Sequence, residues 1–365
     1  MPNEEYVKEV FDYLHSIPET GLNEFKTSQF IGNELKRFGY EVIENIGQTG
    51  IVAIMRGSED GVCLGVRADM DALEFEMEGK KTNIHACGHD ANCTMVLGAA
   101  KEISEKGILK GIIMFIFQPA EEISKGAKLI CESNILHDVD ELVGIHLRPI
   151  EEAKLGEGTP ALYHGASNAI NVEIFGLESH GARPHLGINA IDAASLCINA
   201  INSVRVDPRI AHSAKVTKIS SSGSAHNIIP SKVSMTLDVR AQNNQTMDKL
   251  IEAIKRAVSM SAQSIGAKAK IEVPAGVIAA EYDRGMIESA KESIIEVLGS
   301  SLDPIVTPGG EDFHYYNKAL NIKSTYIGLG ADLVPGLHHP QMAFDLKALE
   351  YGKDIIIKFI EKRLG

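Results

Sequence analysis

The run 111–117, Gly-Ile-Ile-Met-Phe-Ile-Phe, leaves this chain few ways to fold. A strand with one wet face alternates apolar and polar residues, whereas one that is apolar at every position has to be covered on both faces. Such cover comes from helices packed above and below a largely parallel sheet. The flanking sequence supplies the parts. Apolar residues recur at helical spacing over 5–15 and 26–38, and a small-residue stretch at about 92–106 predicts a third helix. Short β-rich runs stand at 40–46, 51–56 and 62–67, and a further apolar run, 142–145, ends at His146. This alternation predicts an α/β sandwich.

The middle of the chain has a different rhythm. Strand-like runs at 168–175, 214–220, 232–239 and 268–273 enclose two long amphipathic helices, about 188–204 and 245–265. That order suits a small open-faced α+β domain inserted into the first. From about 280 the α/β character returns, and a helix at about 346–363 closes the chain. A length of 365 residues also favours two domains over one core. The expected division is 1–167 and 277–365 for the two parts of the larger domain, with 168–276 inserted.

Charge and composition remove several classes of function. Apolar residues make up 44% and charged residues 23%, the profile of a folded globular protein. A formal net charge of -13 disfavours nucleic acid as a partner, since phosphate binding needs a basic surface. No apolar run approaches the roughly 20 residues of a membrane span. The acidic, amphipathic start lacks the pattern of an export signal. The five scattered cysteines are therefore expected to be reduced thiols in a cytoplasmic protein.

Thirteen histidines, several in tight polar clusters, point toward a metal. In His85-Ala86-Cys87-Gly88-His89-Asp90, a thiolate and an imidazole two residues apart leave an extended backbone on one face. Together they suit zinc or a similar divalent ion, and Asp90 is placed to orient a ligand ring. Gln118-Pro119-Ala120-Glu121-Glu122 follows the apolar strand directly, where open α/β sheets carry their sites. Adjacent side chains diverge, so one carboxylate can bind metal while the other faces substrate as a base. His146 ends another apolar strand, and His338 and His339 stand in a late loop. Asp69 and Asp71 in Arg67-Ala68-Asp69-Met70-Asp71 share a face, and spacing does not separate their roles. The inserted region adds His180, Asn227 and Arg240, donor types that polarise a carbonyl or grip a carboxylate. Each cluster alone also has an ordinary structural reading, as a polar loop, a solvated turn or a strand-end cap.

Taken in order, the motifs are similar to those of the metal-dependent amidohydrolases that include aminoacylases, hippurate hydrolases, auxin-conjugate hydrolases and N-acetyldiaminopimelate deacetylases. LHSIPETGLNEFKTS (14–28), RADMDAL (67–73), HACGHD (85–90), QPAEE (118–122), GIHLRP (144–149), GARPH (181–185), NIIP (227–230), GGEDF (309–313) and LHHP (337–340) carry the resemblance nearly end to end. It implies a catalytic α/β sandwich of the zinc-peptidase type with an inserted α+β lid, through which the chain forms a homodimer. By position, Cys87, His89, Glu122, His146 and His338 would hold two divalent ions, zinc or manganese, with cobalt or nickel as alternatives. Glu121 would be the general base acting on metal-activated water, Asp69 the active-site aspartate and His180 a lid histidine acting on the scissile carbonyl. Asn227 and Arg240 would bind substrate. The expected reaction is hydrolysis of an N-acyl amino acid or similar amide. A dipeptidase or aminopeptidase of the same superfamily and a non-catalytic metal-binding protein are the alternatives.

The sequence departs from the family pattern at several points. Cys93 stands where a His is frequent, Ser179 replaces a common Gly, Arg183 a small or apolar residue and His339 a Ser. The segment between Leu73 and His85 is also shorter than usual. None of these removes an expected ligand, and all bear on substrate choice.

Overall fold

The computed structural model describes residues 3–223, 225–307 and 309–365. Two compact units emerge. The larger runs to Tyr163 and resumes over Glu281–Thr307 and Glu311–Gly365, and the smaller comprises His164–Ala280 with Gly309 and Gly310.

The larger unit is built on a seven-stranded sheet. Across it lie Glu41–Ile46, Gly50–Arg56, Lys110–Gln118, Glu59–Asp69, Glu141–Pro149, Lys323–Leu333 and Gly158–Thr159, in that order. The middle four are mutually parallel, and antiparallel strands flank them. The apolar run lies in this parallel block and is covered on both sides, as its composition demands. Ile113, Phe115 and Phe117 face one core with the helices Asn3–His15, His89–Lys106 and Lys347–Leu364. Met114 and Ile116 face a second core with Phe313, Tyr316 and Tyr326. Phe115 and Phe117 are fully buried, each contributing about 1.5–3 kcal/mol relative to exposure.

Because the four central strands run the same way, their C-terminal ends gather along one edge. Asp69 lies opposite Gln118 there, and His146 lies opposite Gly328. The chain segments that follow these ends carry most of the candidate chemistry, the usual location in open parallel sheets.

The smaller unit is a four-stranded antiparallel sheet in the order His212–Ser221, Lys232–Ala241, Ala166–Phe175, Lys268–Glu272. Along Lys232–Ala241, Val233, Met235, Leu237, Val239 and Ala241 are buried with a period of two. They pack against the helices Ala190–Asn202 and Asn244–Ser264. The second helix buries Met247, Leu250, Ile254, Val258 and Ala262, a stripe at three- and four-residue spacing. Asn189 and Asn243 cap the two helices by accepting from Ile191 N at 2.9 Å and Thr246 N at 2.8 Å. Among the described residues, no helix is long and apolar enough to cross a membrane.

Candidate metal centre

Cys87 and His89 do converge, but not through the extended backbone that their spacing suggested. Gly88 lies between them at φ +87° in the left-handed region, and His89 is already the first residue of the His89–Lys106 helix. A Cβ is disfavoured at that φ, so glycine is what permits the turn. Asp90 also differs from expectation. Its Oδ2 is 2.6 Å from Nδ1 of His15, so it orients that ring rather than a candidate ligand.

Three further donors meet the pair. Cys87 Sγ is 3.5 Å from His146 Nε2. His338 reaches the site from the loop after Lys323–Leu333, held at φ +62° with its N–H donating to Ala86 O at 2.6 Å. Its Nε2 is 3.4 Å from Glu122 Oε1, which in turn is 4.0 Å from His89 Nε2. Cys87, His89 and His146 offer ligand atoms within 4.8 Å of one another, as do Cys87, Glu122 and His338. Cys87 belongs to both groups.

The hydrogen bonds at the rear of the rings fix which nitrogens face inward. His89 Nδ1 donates to Asp71 O at 2.8 Å, and His146 Nδ1 donates to Leu147 O at 2.7 Å. Each Nε2 is thereby left aimed at the cluster, the arrangement that metal-binding histidines adopt. Burial pushes His146 down to about 4, so it is neutral near pH 7. Burial opposes charge on His89 too, but Asp69 and Cys87 raise it well above its ordinary value. His89 Nε2 and Glu122 Oε1 are buried with no hydrogen-bond partner. Orphaned buried polar atoms are costly unless a ligand satisfies them. The donor set therefore fits divalent metal on chemistry and on unsatisfied valence alike.

The two adjacent glutamates separate at a left-handed turn, with Ala120 at φ +56°. Glu122 groups with Cys87 and His338, and Glu121 with Glu311 and Asp312, while both carboxylates lie within reach of His89. Asp71 holds the turn from below, its two carboxylate oxygens accepting from Glu121 N at 3.1 Å and Glu122 N at 3.0 Å. Burial, together with the Glu311 and Asp312 carboxylates, raises Glu121 well above the usual carboxylate range. A group raised in this way is a better base near neutral pH. Burial opposes ionisation of Glu122 as well, but the neighbouring His338 and His89 rings keep it below its ordinary value.

Asp69 lies 3.6 Å from His89 Nε2. Burial works against its charge, yet His89, Arg67 and the Asn92 amide hold it below its ordinary value. Asn92 donates to Asp69 Oδ1 at 2.7 Å, and the Cys93 thiol donates to Asp69 O at 2.9 Å. Arg67, fully buried, donates to Asp69, Gln118, Tyr326, Glu311 and Asp312 at 2.7–3.1 Å. The motif GGEDF thus supplies two buried carboxylates beside Glu121, a role that spacing did not reveal. The signal available was Arg67 itself, a cation in the buried C-terminal half of its strand that needs more negative charge than one aspartate provides.

The remaining candidates lie on the smaller unit. The short strand Ser179–His180 pairs with Ile228–Ile229, and Gly181 N donates to Asn227 O at 2.7 Å, which brings His180 and Asn227 into one loop cluster. His180 is exposed, and its Nδ1 accepts from Ala182 N at 3.1 Å. Arg240 is exposed on the Lys232–Ala241 strand, its Nε 3.1 Å from Asp238 Oδ1.

Comparison with known proteins places the chain among hydrolases. The chain is 30% identical to N-acetyl-L-cysteine deacetylase of Bacillus subtilis over 92% of its own length and 83% of that protein. It is 34% identical to hippurate hydrolase of Campylobacter jejuni over 71% and 70% of the two chains. Its fold superimposes on a crystal structure from Bacillus subtilis, described as a dinuclear metal-binding peptidase of the M20 family, with a TM-score of 0.85 and 25% identity over 99% and 98% of the chains. The model of peptidase family M20/M25/M40 matches residues 65–362, and the chain belongs to that family of hydrolases.

Proposed function

We propose that this protein hydrolyses the amide bond of an N-acyl amino acid, releasing a carboxylic acid and an amino acid. The observation that carries the proposal is the splayed pair Glu121–Glu122, one carboxylate turned toward a cluster of orphaned metal donors and the other held proton-hungry beside it. N-acetyl-L-cysteine and hippurate, named in the relatives, are both N-acyl amino acids, which supports the substrate class.

Cys87, His89, Glu122, His146 and His338 would hold two divalent ions. Bound there, the metals supply Lewis-acid charge that acidifies water and polarises a carbonyl. Glu121 takes the proton of the attacking water and delivers it to the departing amine. Asp69 keeps its charge through Arg67 and Asn92 and fixes the electrostatic setting of His89. His180 donates to the scissile carbonyl oxygen, while Arg240 and Asn227 grip the carboxylate of the substrate. This assignment rests on the donor chemistry of those side chains and the resemblance of their motifs. The thiolate favours zinc, and manganese, cobalt and nickel also suit such a donor set. The lid resemblance supports a homodimer, and the five free cysteines support a cytoplasmic location.

Glu121→Gln tests the core of the reading. Metal content should stay near normal while turnover falls by about 10²- to 10⁴-fold, and full activity in that variant would sink the role. A panel of N-acetyl amino acids, hippurate and dipeptides, with acyl group and amino acid varied independently, separates this activity from that of a dipeptidase.

A further inference from the structure

The turn that separates Glu121 from Glu122 has a second support, from a part of the chain the reaction does not otherwise use. Glu24 is fully buried, and among the described residues no ion pair compensates its charge. Its Oε1 accepts from Ala120 N at 2.8 Å, and its Oε2 accepts from the Thr49 hydroxyl at 2.6 Å. Thr49 and Ala120 are themselves buried. A carboxylate so placed is expensive, and its retention needs a reason beyond filling space.

The local structure makes the choice more pointed. Glu24 occupies the N-cap position of the Phe25–Arg37 helix, where an acidic side chain would ordinarily receive the free N–H groups of the first turn, yet it makes no capping bond. Glu19 performs that task instead, accepting from Lys26 N at 2.9 Å and from Thr27 N at 3.0 Å. With the helix end satisfied by Glu19, Glu24 turns inward to Ala120. The loop between them lies against the same turn. A Cβ added to Gly21 would stand 3.1 Å from Ala120 Cα and 3.2 Å from Asp71 Oδ2.

We infer that Glu24 is a positioning residue for the hydrolytic reaction: its buried carboxylate fixes the left-handed Ala120 turn together with Asp71, and so sets the directions of Glu121 and Glu122. The three consecutive N–H groups of Ala120, Glu121 and Glu122 are held by carboxylates, the first by Glu24 and the next two by Asp71. On the far side, Ala120 O accepts from Lys125 N and Gly126 N. The inference rests on the roles proposed above for Glu121 and Glu122.

The test compares Glu24→Met, which fills the space but accepts no hydrogen bond, with Glu24→Gln, whose amide oxygen still accepts from Ala120 N while the Thr49 hydroxyl rotates to accept from the amide. Both are loaded with zinc and assayed on hippurate and an N-acetyl amino acid beside Glu121→Gln. Glu24→Met should lower kcat per metal-loaded site on the order of 10- to 100-fold with KM unchanged, the cost of a small misplacement of reacting groups. Glu24→Gln should recover most of it. Wild-type kcat in Glu24→Met, or a Gln variant as poor as Met, overturns the inference while the inactivity of Glu121→Gln leaves the site assignment standing. Activity in Glu121→Gln overturns both. If Glu24→Met does not fold, Thr49→Val serves, with a smaller loss of kcat at constant KM expected; a lowered melting temperature with unchanged kcat then overturns the positioning role.

Discussion

Replacing Arg67 with Met should destabilise the larger unit by about 3–5 kcal/mol, the usual cost of removing one member of a buried ionic network. The estimate follows from what the guanidinium leaves behind. Its side chain is fully buried and faces three carboxylates, those of Asp69, Glu311 and Asp312, at 2.7–3.1 Å. Met matches the volume but cancels no charge. In a unit of this size each kcal/mol moves the melting temperature by about 2–4 °C, so a fall of about 6–20 °C is expected by calorimetry at equal metal loading. The loss should depend on pH with a definite sign. Asp69 is held below the ordinary carboxylate range and contributes stability above its unfolded pKa that is lost only as pH falls. Asp312 is the reverse case. Burial and Glu311, opposed by Arg67, leave it pushed up to about 7, so stability is lost as pH rises from the unfolded value of about 4 to about 7 and levels off above that. Without Arg67 the upward push is unopposed and the loss continues above pH 7, so the deficit should widen between about pH 6 and pH 8. A neutral or stabilising Arg67→Met, or a deficit independent of pH across that window, would refute the account.

Asp71→Asn should lower metal affinity by about 10- to 100-fold in a chelator competition, because the amide can accept from only one of the Glu121 and Glu122 N–H groups and no longer carries charge beside His89 Nδ1 at 3.3 Å. Gly126→Ala should cost both stability and kcat, since its Cβ would fall 1.7 Å from Pro119 O and force the backbone just before the glutamate pair to move. Wild-type melting temperature and kcat in that variant would show that the turn absorbs the displacement.

The sheet was legible because its constraint is local. A run such as 111–117 cannot sit half exposed, and the period of two along 232–239 and the 3.6-residue stripe along 245–265 each name a buried face without reference to partners. Other features were invisible for equally physical reasons. The hairpin Leu73–Met77 and Lys80–Ile84 buries no residue fully, so its short alternation of apolar and charged side chains names no core face. In the candidate site, Cys87, His89 and Glu122 announce themselves by residue type, but the path that unites them depends on positive φ at Gly88 and Ala120, which side-chain spacing does not encode. Glu311 and Asp312 lie more than 240 residues from the arginine they neutralise, and Glu24 lies 96 residues from Ala120. Spacing along one segment is blind to such pairings. The division of work between Asp69 and Asp71, two residues apart on the same strand end, likewise emerged only from their partners.

The N–H of His338 bonds to Ala86 O, one residue before Cys87. That bond ties the assembly of the donor set to the order in which the chain is made. A nascent chain exposes Cys87, His89, Glu122 and His146 long before residue 338 is synthesised, and the strand that delivers His338, Lys323–Leu333, docks as the outermost member of the parallel block, against Glu141–Pro149 on one side and the two-residue strand Gly158–Thr159 on the other. Until it docks, the sheet lacks its last parallel strand and the donor cluster lacks its last member. Completion of the ion-binding cluster and completion of the larger core are therefore the same event, and metal uptake during biosynthesis becomes a report that the C-terminal third has found its place.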